Sequence, residues 1–583
     1  MFLKVSIQIY FFSYAGLHSK IISGYAKGAD YRPGQSFTPG TNQHSWNAVY
    51  IYGTWCLVDC HWAARRIIGK QTTHEEFHYQ LDEYFFLPDP HQLIYTHFPE
   101  DTKWQLLERQ VALDEFESMP HMKPQFFKYG LEFVSHRTAV IYGRGEVNIR
   151  LRYPAHRIVV AFNFTIQYEN GDEEYRGTKL NKYGMQESVG GIASFRLRLP
   201  EKGSYIIYIY AKEDTQENKD NVYAQVCEFK IVQEEVTSPP PQPFPPCAYL
   251  NWGPGTAFFK YGLQTYQTTA TILTREGKVE LQIRIPKQMQ FMAKLKQNEM
   301  SDSELEGYIM NRVVGNTAYF NITAPCRGEF GLEIYANDPS MEGQTLYHVA
   351  QYMIECHEDV KTVPLPKLPH GYLGPQPKFN DFGLNTLSHH DSVIHLETNS
   401  VEIQFATAQE MRVTANLIGV DDEKEHPDLV FTQTQGSIVS FVMHLPNTGF
   451  FKLQLYAIPA QDPSQQLPGV YNYLINCQKA TRPSLPFPKQ YAQWKEGCYM
   501  WEPLTLHKDV SGPTVNFKIG IPKAEAVAVV ADNEWVHLQA SQPGVWEGKV
   551  PLDKQYGKGV KVTVNANYGG DRTNYATLLE YNI

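Results

Sequence analysis

"FFKYGLEF" (residues 126–133) is followed by "FFKYGLQT" (258–265) and then by "FNDFGLNT" (379–386). A phrase that returns at a fixed interval marks a repeated structural unit, and this one decides the architecture. Late in each unit comes a second phrase: "LPEKGSYIIYIYA" ending at Ala211, "APCRGEFGLEIYA" ending at Ala336 and "LPNTGFFKLQLYA" ending at Ala457. Each is a proline, a short turn with glycine and then alternating residues, which predicts a turn feeding a half-buried strand. A closing strand follows in "YAQVCEFKI", "VAQYMIEC" and "YNYLINC". A fourth, worn copy runs from about Cys498 to Ile583, with "PLDKQYGKGVKVTVNA" in the late-strand position. The unit is about 120 residues long, too long for a solenoid repeat and right for an independent β-sandwich. Between copies lie "EEVTSPPPQPFPP", "VKTVPLPKLPHGYLGPQP" and "TRPSLPFPKQY". Proline at that density predicts semi-rigid extended spacers, hence a rod of four immunoglobulin-like modules.

The expected boundaries are 120–235, 248–358, 370–480 and 490–583 for the modules, the last divergent, after a distinct piece at 1–119. Composition agrees. The 583 residues are 42% hydrophobic, 13% aromatic and 20% charged, with 37 Tyr, 31 Phe, 41 Gly and 37 Pro, a mix that favours strands and turns. A net charge of −10 without any basic block gives a nucleic-acid or anionic-membrane partner little support. Eight cysteines are too sparse for a disulfide scaffold. Cys227, Cys356 and Cys477 sit one per closing strand with no recurring partner, and so read as buried reduced thiols. Sequons at Asn163 and Asn321 carry no meaning in a cytosolic protein. The opening "MFLKVSIQIYFFSYAG" has the look of a signal peptide, but Ser6 and Gln8 interrupt an apolar run already short for one. No run of about 18 apolar residues predicts a transmembrane helix.

The chemistry concentrates in "HSWNAVYIYGTWCLVDCHWAAR" (44–65). A two-residue turn at Tyr52-Gly53 sets Ile51 opposite Thr54. Continued along the ladder, that register puts Trp46 opposite Asp59 and His44 opposite His61. His44, Trp46, Ala48, Tyr50, Trp55, Leu57, Asp59 and His61 then share one face. His44 and Asp59 become diagonal neighbours about 7–8 Å apart at the backbone, within reach of a carboxylate–imidazole hydrogen bond. Such an aspartate fixes the imidazole tautomer and stabilises the imidazolium formed when the histidine deprotonates a thiol. Trp46 and Trp55 on that face are candidates for a substrate pocket and for excluding water. Cys56 and Cys60 fall on the opposite face and are poor nucleophiles, and no cysteine stands between Met1 and Gln43. Two other readings stand beside this one: a pair that only satisfies itself in a half-buried sheet, and a metal site of His44, Asp59 and His61 without an evident fourth ligand.

"SGYAKG", "YRPGQSF", Asn42 and the hairpin, followed by "DEYFFLPDPHQLIYTHFPEDTKWQLLE", resemble the transglutaminase-like core of the kyphoscoliosis peptidase and hillarin family. The match runs from Ala15 to Phe116, and the "FFKYGL" modules are similar to that family's C-terminal region. The resemblance implies an α+β, partial transglutaminase-like (papain-like) core before four all-β immunoglobulin-like sandwiches. It also implies a Cys-His-Asp site with His44 as general base and Asp59 as orienting acid. The family's cysteine precedes an Ala-Gly-Leu step by about four helical turns; here that step is Ala15-Gly16-Leu17, which places the cysteine at or before Met1. The expectation is therefore an incomplete chain or a pseudoenzyme lacking its nucleophile.

Two functions follow. One is a cytoplasmic, cytoskeleton-associated scaffold, at the muscle Z-disc by resemblance, whose partners are sarcomeric or actin-crosslinking proteins. The other is the C-terminal part of a cysteine peptidase or transglutaminase-like acyltransferase acting on peptides or proteins. No cofactor and no resident metal is implied. An extracellular adhesion rod would need both a signal peptide and paired cysteines.

Overall fold

In the computed structural model, residues 2–64, 66–67, 77–78, 81–155, 160–213, 222–338, 345–360, 362, 364–366, 372–481, 483–569 and 573–583 are described. They form two compact units, Met1–Gly253 and Pro254–Ile583. Each is predominantly β.

The first unit begins with helix α1 (Phe2–Tyr14), strands β1 (His18–Ala26), β2 (Gln43–Ile51) and β3 (Thr54–Val58), a one-turn helix α2 (Cys60–Ala63) and a short strand β4 (His97–Pro99). The strands make one antiparallel sheet in the order β3-β2-β1-β4. The apolar opening segment is thus a helix, packed across β1, β2 and α2. With α1 and the segment after the hairpin covering the sheet, every residue of β2 from His44 to Val49 is buried. Among the described residues, no helix is long and apolar enough to cross a membrane.

Four two-sheet sandwiches follow, one in the first unit and three in the second. Their strands show the alternation the sequence calls for: Val147–Arg152 is buried at every second position. Each repeat phrase has a structural role. "FFKYGL" is a one-turn helix whose first phenylalanine is buried (Phe126, Phe258, Phe379) and which stops at a glycine with φ of +63° (Gly130), +68° (Gly262) or +69° (Gly383). Only glycine adopts that left-handed stop at little cost. In the worn copy the same work is done by the 3-10 turn Ala492–Lys495, with Trp494 buried and Gly497 at +88°.

The late strand pairs with the closing strand in all four sandwiches, and a register shift falls at the same place each time: Ile209/Tyr210, Ile334/Tyr335, Leu455/Tyr456 and Val564/Asn565. In the first three, an early strand (Val140–Gly143, Thr271–Thr274, Val393–Leu396) runs parallel to the closing strand. Cys227, Cys356, Cys477 and Cys498 are buried free thiols, as the closing-strand pattern predicts for the first three.

The proline-rich joints differ from expectation. They are not plain spacers, because each carries one aromatic residue that buries into a sandwich. Phe244 lies under the Arg198 guanidinium at 3.7 Å and its N–H donates to Lys182 O. Tyr372 joins the core of the second sandwich, and Asn472 of the third donates to its carbonyl. Phe487 stacks on Phe431 and His444 of the third sandwich and joins the core cluster of the fourth. An apolar ring between prolines gains more from burial than from solvation, so the stiff segment is held down at that point.

Candidate active site

The hairpin turn is as the sequence predicts: Tyr52 and Gly53 take φ of +52° and +82°, and Ile51 pairs with Thr54. The ladder then ends at Asn47 and Val58. The expected pairings of Trp46 with Asp59 and of His44 with His61 do not form. Asp59 leaves the strand to become the N-cap of α2, its Oδ1 accepting the backbone N–H groups of His61 (2.8 Å) and Trp62 (3.1 Å). Aspartate followed by a short helix is the ordinary N-cap arrangement, and it outcompetes two more rungs of ladder.

That turn delivers the second carboxylate oxygen to His44. Nε2 of His44 and Oδ2 of Asp59 are 2.6 Å apart, with the two residues 4% and 2% exposed. A third residue joins them. His97, at the start of β4 and opposite Ala26 of β1, places Nε2 3.1 Å from the same Oδ2, and its Nδ1 lies 2.8 Å from Thr96 Oγ1. Burial alone would raise the Asp59 pKa, but the hydrogen bonds of His44 and His97 outweigh it. The carboxyl is held well below its usual range and is ionised.

The surround is aromatic. Trp46, 1% exposed, stacks on His44 with ring centres 6.1 Å apart and meets His97 edge-on at 5.1 Å. Gly24 of β1 makes this contact: a Cβ there would lie 2.7 Å from the Trp46 ring and would also strike the Phe98 carbonyl. Trp62 packs on both imidazoles, at 5.3 Å from His44 and 4.5 Å from His97. Trp46 is therefore the floor beneath the pair. Trp55 is half-buried further along the hairpin against Tyr50 and Trp104.

The hairpin thiols are elsewhere. Cys56 pairs with Val49 in the ladder, and Cys60 belongs to α2. Burial and then the Asp59 charge push the Cys60 thiol up, the opposite of what a nucleophile needs. His61 contributes its backbone N–H, while its place beside Asp59 is taken by His97. His44, Asp59 and His97 bring their ligand atoms within 4.8 Å of one another. Both imidazoles aim at Oδ2 itself, which is hydrogen bonding to a shared acceptor rather than coordination of a common centre. His97 was not singled out in the sequence because nothing local marks it: it reaches Asp59 only through the pairing of β4 with β1.

Comparison with known proteins places the molecule. The model of the KY-like, immunoglobulin-like domain matches residues 113–245, 255–367 and 369–488, more than half of the chain. The chain belongs to the kyphoscoliosis peptidase–hillarin family. It is 32% identical to hillarin of Drosophila melanogaster over 344 residues, covering 56% of this chain and 42% of hillarin. It is 31% identical to the Lim and transglutaminase domain protein ltd-1 of Caenorhabditis elegans, covering 59% of this chain and 50% of that protein. The kyphoscoliosis peptidase of Mus musculus aligns over 98% of this chain and 64% of its own length, at 23% identity. The chain thus spans between two fifths and two thirds of the relatives it matches.

Proposed function

We propose that His44 and Asp59 are the base and orienter of a transglutaminase-like, Cys-type acyl-transfer site, mounted on a cytoskeleton-associated scaffold of immunoglobulin-like sandwiches. The observation that carries this reading is the 2.6 Å contact between two buried side chains, with an ionised carboxylate held at a helix N-terminus. An aspartate so fixed keeps the proton of His44 on Nε2, so Nδ1 is the nitrogen that takes a proton from a thiol. The thiolate attacks an amide carbonyl of a peptide or protein, the amine leaves with the proton returned by His44, and the acyl-thioester is released to water or to a second amine.

Neither Cys56 nor Cys60 suits the role of nucleophile. A chain without it acts through its sandwiches alone, with sarcomeric or other cytoskeletal proteins as partners bound along exposed strands. The relatives named for peptidase and transglutaminase domains support the catalytic reading, and the sandwiches that make up most of the chain support the scaffold.

The test is an assay of peptide hydrolysis and of amine incorporation into protein, on protein expressed from its natural transcript. Activity that disappears in His44→Ala supports acyl transfer. Equal activity in both, or none in either, rejects it. Cross-linking of the same protein in muscle or cytoskeletal extract then tests the scaffold, which fails if no filament-associated protein is captured.

A further inference from the structure

The first unit carries a cavity that the histidine–aspartate cluster does not use. It has a volume of about 420 Å³ and opens beside the short edge strand Glu132–Phe133. Its floor is Phe126, the buried ring of the "FFKYGL" turn. Three half-buried rings stand round that floor: Phe133 and Phe127 at 4.7 and 5.7 Å from Phe126, and Tyr95 at 6.0 Å from Phe127. Each leans on the sandwich core and also lines the cavity. Phe133 is not a requirement of the sandwich. Its ladder position, opposite Leu151, is held by Thr265 in the second sandwich and by Thr386 in the third. A threonine there serves the fold, so the phenylalanine keeps apolar surface at the cavity that a bound apolar group would remove from water.

The rim is cationic. Arg152 pairs with Glu132 at 3.2 Å, and those two charges offset each other. Among the described residues no carboxylate pairs with Arg137, whose guanidinium donates only to the Phe133 carbonyl, at 3.4 Å. Arg150, exposed on the same outward face of its strand as Arg152, is unpaired as well among the described residues. A protein of net charge −10 thus gathers positive charge beside an aromatic cavity. We propose that this cavity is a docking site for an acidic peptide segment of a partner protein, which seats an aromatic or long apolar side chain among Tyr95, Phe127 and Phe133 and lays a neighbouring carboxylate on Arg137. The ring strands no polar group, and the carboxylate gains charge-assisted hydrogen bonds from a planar guanidinium. Arg150 adds attraction at longer range, which salt screens. The site rests on the scaffold reading for its purpose, and its measurement needs neither His44 nor a thiol.

The experiment is fluorescence polarisation of the full chain with the fluorescein-labelled peptide Ser-Asp-Phe-Asp-Ser and two counterparts, one with both aspartates replaced by asparagine and one with the phenylalanine replaced by alanine. The wild type should bind the first peptide saturably at low salt. Each counterpart should bind at least about tenfold more weakly, the effect of losing a charge-assisted hydrogen bond or a buried ring. Arg137→Gln and Phe133→Thr should each weaken the first peptide by a similar factor, the second with the residue that the sister sandwiches carry. Arg144→Gln, which removes an exposed charge already paired with Glu234, should leave binding unchanged. No saturable binding to the wild type overturns the proposal, and so do equal affinities in Arg137→Gln and Arg144→Gln. Binding that tolerates alanine for the phenylalanine but not asparagine for the aspartates would mark a bare anion patch and would overturn it too. Cytoskeletal partners captured by a chain that ignores the peptide would leave the scaffold reading standing while this site fails.

Discussion

Two buried histidine–carboxylate pairs in the first unit have the same 2.6 Å separation and opposite character: His44 with Asp59, and His121 with Glu228. His121 begins the short strand His121–Met122, opposite Glu228 on the closing strand of the first sandwich. Its Nδ1 meets Glu228 and its Nε2 lies 3.0 Å from the Lys123 ammonium, so both nitrogens are committed and Nε2 must act as an acceptor. Burial and the charge of Lys123 pull its pKa down to about 4. Such a ring is neutral and spent: it ties the sandwich to the segment before it. In the other pair the acid side is the one saturated, and the imidazole faces it through Nε2. The 2.6 Å distance does not distinguish the two pairs; the donors gathered on Asp59 do.

The comparison can be broken most severely at Asp59. Asp59→Ala strands four donors in a dry site and should destabilise the first unit by about 4 kcal/mol, read from urea unfolding followed by tryptophan fluorescence. Glu228→Gln removes the carboxylate that faces Nδ1 of His121, across the ring from Lys123, and should cost about 3 kcal/mol by the same measurement. It should leave the His44 tautomer unchanged; a shift there would show that the two clusters are coupled. Gly24→Ala sharpens the first cluster alone. The added methyl meets the Trp46 ring and the Phe98 carbonyl, and should cost about 2 kcal/mol while displacing the ring that floors His44.

The smallest expected effect is on pH. His121 binds a proton more weakly when folded than at its ordinary value of 6.5, so the unfolded chain takes up more protons between 6.5 and about 4. Stability must therefore fall as pH falls through that window, by at most about 1.4 kcal/mol per unit. His97, also shifted down by burial, acts with the same sign. Asp59, shifted down as an acid, adds its own loss only below its ordinary 3.8. A His121→Gln variant should flatten the curve between pH 6.5 and 5, measured by urea midpoints.

Much of this was legible in the sequence, for identifiable reasons. Tyr52-Gly53 is a local turn signal, and it set the register of β2 and β3 correctly. The repeat phrases showed the sandwiches because helix stop, turn and closing strand are each short-range features. Asp59 was misplaced on a continued ladder although "DCHWAA" offers a capping residue before helix formers. Two rungs of strand pairing and one helix turn compete there, and the two N–H groups capped by Asp59 decide. His97 had no local signal at all, since only the pairing of His97 with Ala26 brings it to Asp59. Phe244, Tyr372 and Phe487 were hidden within proline-rich joints whose composition reads as linker.

What tests His44 as the base of a thiol nucleophile most directly is alkylation. Protein expressed from its natural transcript would be treated with iodoacetamide at pH 6, where an ordinary thiol is almost wholly protonated, and each cysteine followed by mass spectrometry. The account predicts one cysteine that is labelled at least about tenfold faster in the wild type than in His44→Ala, the low end of what a positioned base contributes. Equal labelling of every cysteine in the two proteins would contradict it.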